Sequence, residues 1–235
     1  MKLEKITIDP AKPKRRYNDA CGMALGLELL GDRWALFIVR ELMFGPRRFN
    51  DLRADLPGIS ANVLTQRLTE LEARGILVRR KLPPPANVTA YELTPWGYEA
   101  EPIVQELGRW AVRSPDHDPT LPISGVSILL SFRTMIDRSR IGDFRVRAGF
   151  RFGDDEYVAD VDEAGITVMR GDPETGEIVF EGAPEGLAAF VYNGVDPDAL
   201  AAEGLLAIRG DMATARRFAD LFVLPPKVGM EPSAR

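Results

Sequence analysis

From Cys21 to Gly75 the apolar residues recur at helical spacing. Cys21, Leu25 and Leu29 fall four apart, and Trp34, Phe37, Ile38 and Leu42 make a second stripe that Gly45-Pro46 ends. Phe49, Leu52 and Leu56 mark a short third helix closed by Pro57-Gly58. Ser60 offers an N-cap to a fourth helix with the stripe Leu64, Leu68, Leu71, and Gly75 stops it. Two extended segments, 76–81 and 88–93, flank Pro83-Pro84-Pro85, which reads as a stiff hairpin loop. Thr94 caps and Pro95 starts a last helix with the stripe Ile103, Leu107, Trp110.

The second half follows another pattern. Positions 127–138 keep helical spacing, but from Phe144 to Phe152 apolar residues alternate with Arg145, Arg147, Gly149 and Arg151, as in a half-buried strand. Further strands are expected at 156–161, 166–170, 178–181 and 205–209, and helices at 184–192 and 211–222. Between the halves, 114–122 holds three prolines and no apolar period, so it reads as a linker. The expected division is 1–113, linker 114–122, and 123–235. The fold class is α+β: a mostly helical unit with a β-hairpin, then a sheet with helices on one face.

Charge sharpens this division. Of a net −5, residues 1–117 carry +3, with 18 Lys and Arg against 15 Asp and Glu, while the remainder carries −8. A mildly basic unit joined to an acidic one suggests a DNA-facing half and a half with another partner. No run of about 18 apolar residues suggests a membrane span, and the first sixteen residues lack the apolar stretch of a secretory signal. The single cysteine, Cys21, fits a reducing cytoplasm.

A short helix, a tight glycine turn and a second helix form a helix-turn-helix, with the hairpin behind it as a wing. The second helix would enter the major groove N-terminal end first. Off its buried stripe, its early residues are Ala61, Asn62, Thr65, Gln66 and Arg67, with acids only later. Asn and Gln suit adenine edges and Arg suits guanine, while Ser60 and the helix N-terminus suit a phosphate. Arg47, Arg48, Arg79, Arg80 and Lys81, with Asn87 at the wing loop, complete the candidate DNA-binding set. The same shape occurs in proteins that never touch DNA, and the Arg79–Lys81 run also fits a solvated strand.

The ordered set Leu29-Leu30-Gly31-Asp32-Arg33-Trp34, Gly45-Pro46-Arg47-Arg48-Phe49, Leu56-Pro57-Gly58-Ile59-Ser60, Gln66-Arg67-Leu68 and Tyr91-Glu92-Leu93-Thr94-Pro95-Trp96-Gly97 resembles the HxlR family of bacterial winged-helix regulators, relatives of MarR-type regulators. The sequence departs from that family at Gly22, where proline is common, and at Ala90, where an acid is frequent. The resemblance implies a homodimer on a pseudo-palindromic operator, with the first and last helices of the unit at the dimer interface: here Leu25, Leu29, Ile103, Leu107 and Trp110. It also implies two readings of Cys21: a redox switch, as in some relatives, or a small buried residue packed against Leu25.

The closing segment, Gly204-Leu205-Leu206-Ala207-Ile208-Arg209-Gly210-Asp211 with its following helix, resembles sterol carrier protein-like domains. That resemblance implies a tunnel for a small apolar ligand, with Phe144, Val146, Phe150, Phe152, Phe180 and Phe190 as its lining. The same residues also suit a solid core.

Catalysis is disfavoured. The only histidine, His117, lies in the linker, and there is no phosphate-binding glycine loop or Cys/His cluster. No cofactor or metal is expected. The expected function is ligand-modulated operator binding. The alternatives are a redox regulator acting through Cys21, or a lipid carrier whose winged helix only dimerises it.

Overall fold

The computed structural model describes residues 17–81 and 88–229. The first half runs α1 (Gly22–Leu30), α2 (Ala35–Glu41), β1 (Arg47–Arg48), α3 (Phe49–Asp55), α4 (Ala61–Ala73), β2 (Leu77–Lys81), β3 (Thr89–Leu93), α5 (Pro95–Tyr98) and α6 (Glu101–Ala111). The stripes of the middle helices supply the core, with Ile38, Leu42, Leu52, Leu64, Leu68 and Leu71 buried, whereas Phe37 and the stripes of the first and last helices stay largely exposed. Two details differ from the sequence expectation. The hairpin gains a third strand, because β1 pairs antiparallel with β3 in the order β1-β3-β2. The last helix breaks in two near Ala100, where Pro102 lacks the N–H needed to continue the ladder of α5.

The second half runs α7 (Gly125–Met135), β4 (Val146–Phe152), β5 (Asp155–Asp162), β6 (Gly165–Arg170), β7 (Ile178–Gly182), α8 (Pro184–Asn193), α9 (Pro197–Ala202), β8 (Leu206–Gly210) and α10 (Met212–Ala219). The short helix α9 was not anticipated; Asp196 caps it and Pro197 opens it. The five strands order β6-β5-β4-β7-β8, antiparallel except for the β4/β7 pair. At mid-strand Gly149 leaves room for the turn after β6, since a Cβ there would lie 2.1 Å from the Pro173 carbonyl oxygen. The outer strand face carries ion pairs: Arg151 meets Glu156, Glu174 and Glu181, and Arg209 meets Glu174 at 2.6 Å. Hydrogen bonds from Arg209 and Arg151 hold the Glu174 carboxyl down to about 2.

The opposite face is aromatic. Phe150 stacks on Phe180 with centroids 5.4 Å apart, and Phe132 of α7 stacks on Phe222 at 4.3 Å. Phe218 of α10 meets Phe132, Phe150 and Phe180.

Helix α7 ties the halves together. Seven of its eleven residues are buried, among them Ile128, Leu129, Phe132 and Met135. It packs against α2 and α6 of the first half and against β6 and α8 of the second. A helix that is apolar all round requires cover all round. Residues 114–122 form turns beside this junction. The C-terminal segment returns to them, with the Val228 N–H donating to the Arg113 carbonyl at 2.8 Å and Lys227 Nζ to the Ser114 carbonyl at 2.9 Å.

Glu41, at the end of α2, is buried against α7. Its Oε1 accepts from the Ser124 hydroxyl at 2.8 Å and from Arg40 Nε at 2.7 Å. Its Oε2 is buried without a hydrogen-bond partner. Burial raises the carboxyl above its ordinary range, against the pull of Arg40 and Ser124. A raised folded-state pKa contributes stability that is present below the unfolded value and lost as pH rises through the folded one. The expected outcome is therefore that the wild type gains stability relative to Glu41→Gln as pH is lowered from 8 to 5. Urea unfolding of both proteins across that range checks it, and a pH-independent difference would remove the buried charge from this account.

Candidate nucleic-acid interface

Helices α3 and α4 form the helix-turn-helix. Their turn needs a left-handed residue, and Gly58 supplies it at φ +88°. Ser60 then caps α4, its Oγ accepting the Val63 N–H at 3.3 Å. With Leu64, Leu68 and Leu71 facing the core, the exposed face of α4 presents Asn62, Thr65, Gln66 and Thr69. Ala61 is half-buried beside them. The Thr65 and Thr69 hydroxyls donate back to the Ala61 and Thr65 carbonyls at 2.9 Å, and Gln66 Nε2 donates to Glu70 Oε1 at 3.2 Å. Thr69 was absent from the sequence-derived set, although its offset of four from Thr65 places it on the same face.

The basic residues divide into two groups. Arg48 is exposed before α3, and Arg79, Arg80 and Lys81 are exposed along β2. Arg79 stacks on Tyr91 at 5.4 Å and approaches Glu72 at 3.8 Å; Arg80 pairs with Glu92 at 2.5 Å. These surface pairs are weak and leave the cations open to exchange partners. Asn87 and the triple-proline loop lie outside the described residues.

Two arginines in the candidate set require correction. Arg47 is only 4% exposed, and its guanidinium is held between Asp55 at the end of α3 and Asp155 at the start of β5. Burial would raise the Asp155 carboxyl, but hydrogen bonds from Arg47 and Arg170 outweigh it and bring the carboxyl below its usual range. Burial raises the Asp55 carboxyl despite the Arg47 charge, and repulsion from Asp155 adds to the effect. Arg47 cannot reach a phosphate without abandoning both carboxylates. Arg67 is half-buried and pairs with Glu70 and, at 3.0 Å, with Asp32 in the loop before α2. It turns toward the protein body rather than toward a groove.

The remaining candidates are distributed as follows. Leu25, Ile103, Leu107 and Trp110 are exposed, Trp110 at 73%, while Leu29 is half-buried. No residue of α6 is buried. Cys21 is exposed at the N-cap of α1, so it is not the small buried residue that one reading allowed. The expected tunnel lining is corrected too. Val146, Phe150 and Phe180 are packed into the core, and Phe144 lies outside β4 beneath the Arg217 guanidinium. Phe152 borders a cavity of about 620 Å³ with Trp34 and Pro184. Phe190 borders another of about 980 Å³ with Tyr192, Phe222 and the C-terminal segment. A more apolar cleft, about 780 Å³, opens between α1, α2, α6 and α7, lined by Leu30, Phe37, Val104, Leu130, Met135 and His117. No helix among the described residues is long and apolar enough to cross a membrane.

Two separate segments of the chain match known families. Residues 29–118 match the model of the HxlR-like helix-turn-helix family, and residues 143–223 match that of the SCP-2 sterol transfer family. The chain is 38% identical over 85 residues to the uncharacterized HTH-type transcriptional regulator YvaP of Bacillus subtilis, covering 36% of this chain and 79% of that one. It is 38% identical over 89 residues to the HTH-type transcriptional regulator YodB of the same bacterium, covering 38% and 80%. Among solved structures, the redox regulator HypR in its oxidised form matches 41% of this chain and 100% of that one, at 32% identity and a TM-score of 0.39. Helix α7 lies in neither matched segment.

The cap geometry gives a stability test for the reading helix. Ser60→Ala is expected to cost about 1 kcal/mol, the usual value of a serine N-cap. Thr65→Ala, which removes an exposed hydroxyl bonded only to its own helix, should stay within about 0.5 kcal/mol of the wild type. Urea midpoints compare the two; equal losses would mean that Ser60 does not hold the start of α4.

Proposed function

Because the chain belongs to the HxlR-like helix-turn-helix family, we propose that it is a transcription regulator that binds operator DNA as a homodimer. The observation that carries this reading is the exposed, acid-free start of α4, where Asn62, Thr65 and Gln66 stand clear of the core behind the Ser60 cap. Asn and Gln are the side chains that read adenine edges bidentately. Arg48, Arg79, Arg80 and Lys81 surround that helix on exposed positions and suit phosphate contacts. Residues 1–113 serve as the DNA-binding unit, 123–235 as the ligand-responsive unit, and 114–122 as the joint.

The dimer contact in this reading is the apolar face of α1 and α6. Leu25, Leu27, Ile103, Leu107 and Trp110 are each between 46% and 73% exposed, and an isologous contact would cover them. A small apolar ligand would modulate binding. The SCP-2 match supports such a ligand: within the matched segment Phe190 and Phe222 border the cavity of about 980 Å³, and outside it lies the more apolar cleft beside α7. Its volume of about 780 Å³ lies within the usual range of small-molecule sites. A redox reading is favoured by one observation, the exposure of Cys21.

Titration of the gene's own upstream DNA, at two salt concentrations, tests the whole reading. Salt-sensitive binding that shifts with a fatty acid supports ligand control, and binding that shifts only with diamide supports Cys21. Absence of binding would favour a carrier whose winged helix only dimerises it. Gln66→Ala is expected to cost roughly 1–3 kcal/mol on the operator and to relax specificity at one base pair, and Thr69→Ala to cost less, its hydroxyl making at most a single contact. Unchanged affinity and specificity in both would mean that α4 does not read the groove. Leu107→Glu with Trp110→Glu should convert the dimer to a monomer in sedimentation and lower operator affinity at least tenfold. A dimer that survives both changes would place the interface elsewhere.

A further inference from the structure

Arg47 occupies a junction of three elements. It is the first residue of β1, where it pairs with Tyr91 in the wing, and Arg48 after it precedes α3 with its backbone N–H donating to the Asp51 carboxylate at 3.3 Å. Its Nη2 is bound by Asp55 at the last residue of α3. Its Nη1 lies 2.5 Å from both carboxylate oxygens of Asp155, on a strand of the second half. Asp155 is held from behind by Arg170 of β6, whose Nη1 approaches at 2.9 Å. Arg170 in turn stacks on Tyr157 at 4.9 Å and donates to the Tyr157 hydroxyl at 3.2 Å. The Phe44 ring meets Tyr157 edge-on at 6.1 Å just before the β1 segment. A charged guanidinium shared between two carboxylates fixes orientation as well as distance, because its donors lie in one rigid plane.

We propose that Asp155 and Arg170 of the sheet are positioning residues for DNA binding: through Arg47 they set the pose of α3, and with it α4 and the wing, relative to the second half. Leu52 and Leu56 at α3 and Leu64 and Leu68 of α4 are buried in the same apolar core, so the pose of one helix bears on the other. Beside the packing of α7 and the Phe44–Tyr157 contact, a displacement of the β5 and β6 strands therefore has a direct route to α3 through this buried side chain and its two ion pairs. Such an element is a contiguous physical link between the two halves, the kind of connection that coupling requires. Arg47 has no role in touching DNA here; its charge is consumed internally. This inference rests on the operator-binding reading.

The test uses the full chain and two variants, Asp155→Asn and Arg47→Met, each measured for operator affinity, nonspecific DNA affinity and thermal midpoint across a salt series. The expected result is at least a fivefold loss of operator affinity in both, with nonspecific affinity and the slope of log affinity against log salt unchanged. The double variant should lose no more than Arg47→Met alone, because both act through one contact. Three results would overturn the proposal. A slope reduced by about one in Arg47→Met would make Arg47 a phosphate contact. Tighter binding to all sequences by Asp155→Asn would mean that the pair sequesters a DNA-binding cation. A lowered thermal midpoint with operator affinity unchanged would reduce the cluster to structural support. Where Arg47→Met fails to fold, Asp155→Asn decides alone, since it leaves the Arg47–Asp55 pair in place. A wild type that binds no DNA refutes the operator reading before the variants are compared, and this proposal falls with it.

Discussion

The structure depends on covering α7 from all sides. Its sequence, Gly-Val-Ser-Ile-Leu-Leu-Ser-Phe-Arg-Thr-Met, offers no polar face wide enough for solvent, and seven of its eleven residues are buried. Neither half covers it alone. The winged helix supplies α2 and α6, and the sheet unit supplies β6 and α8. The buried apolar cluster consequently runs without a break from Ala35 to Phe222. A proline-rich joint at 114–122 would ordinarily allow two units to move freely. Here the apolar burial on α7, with the return of the C-terminal segment to Arg113 and Ser114, holds that joint down.

Buried charge marks the same junction. Glu41 and Arg47 are both nearly sealed from solvent, at 1% and 4% exposure, and both find partners across the boundary between the halves. Burying an ion is costly unless it is paired, and one left alone by a moving boundary would cost more. The Glu41–Ser124 and Arg47–Asp155 contacts exist only in this arrangement of the halves. Each leaves one buried polar atom without a hydrogen-bond partner, Glu41 its Oε2 and Arg47 its Nε. Burial raises the Glu41 carboxyl, whereas Asp55 and Asp155 approach the two terminal nitrogens of Arg47.

The second half shows how a single composition supports opposite outcomes. A set of phenylalanines alternating with arginines suits a ligand tunnel or a solid core equally well. The rings of Phe132, Phe150, Phe180, Phe218 and Phe222 form a chain of neighbouring pairs 4.3 to 6.2 Å apart, stacked, tilted and edge-on. Such packing leaves the sheet face filled. Open apolar space lies instead against α7, between walls contributed by both halves. That space is bordered by α1, α2 and α6 as well as α7.

Local signals in the sequence determined the elements of the first half and the surface of its reading helix. Stripes at helical spacing, the Ser60 and Thr94 caps and the Gly58 turn each act within a few residues, so they can be read without knowing the fold. The exposed α6 stripe was visible for the same reason, although the break at Pro102 was not weighed against it. Tertiary structure alone decided where the charges went. Arg47 and Arg67 look like Arg48 in sequence, yet Arg47 is claimed by Asp155, 108 positions away, and Arg67 by Asp32 in the loop before α2. Only the fold brings those carboxylates within reach, because an ion pair depends on distance in space and leaves no periodic trace along the chain. The phenylalanines obey the same limit: alternation assigns them to one face of a strand, but whether that face meets a ligand or three helices depends on what the rest of the chain packs against it.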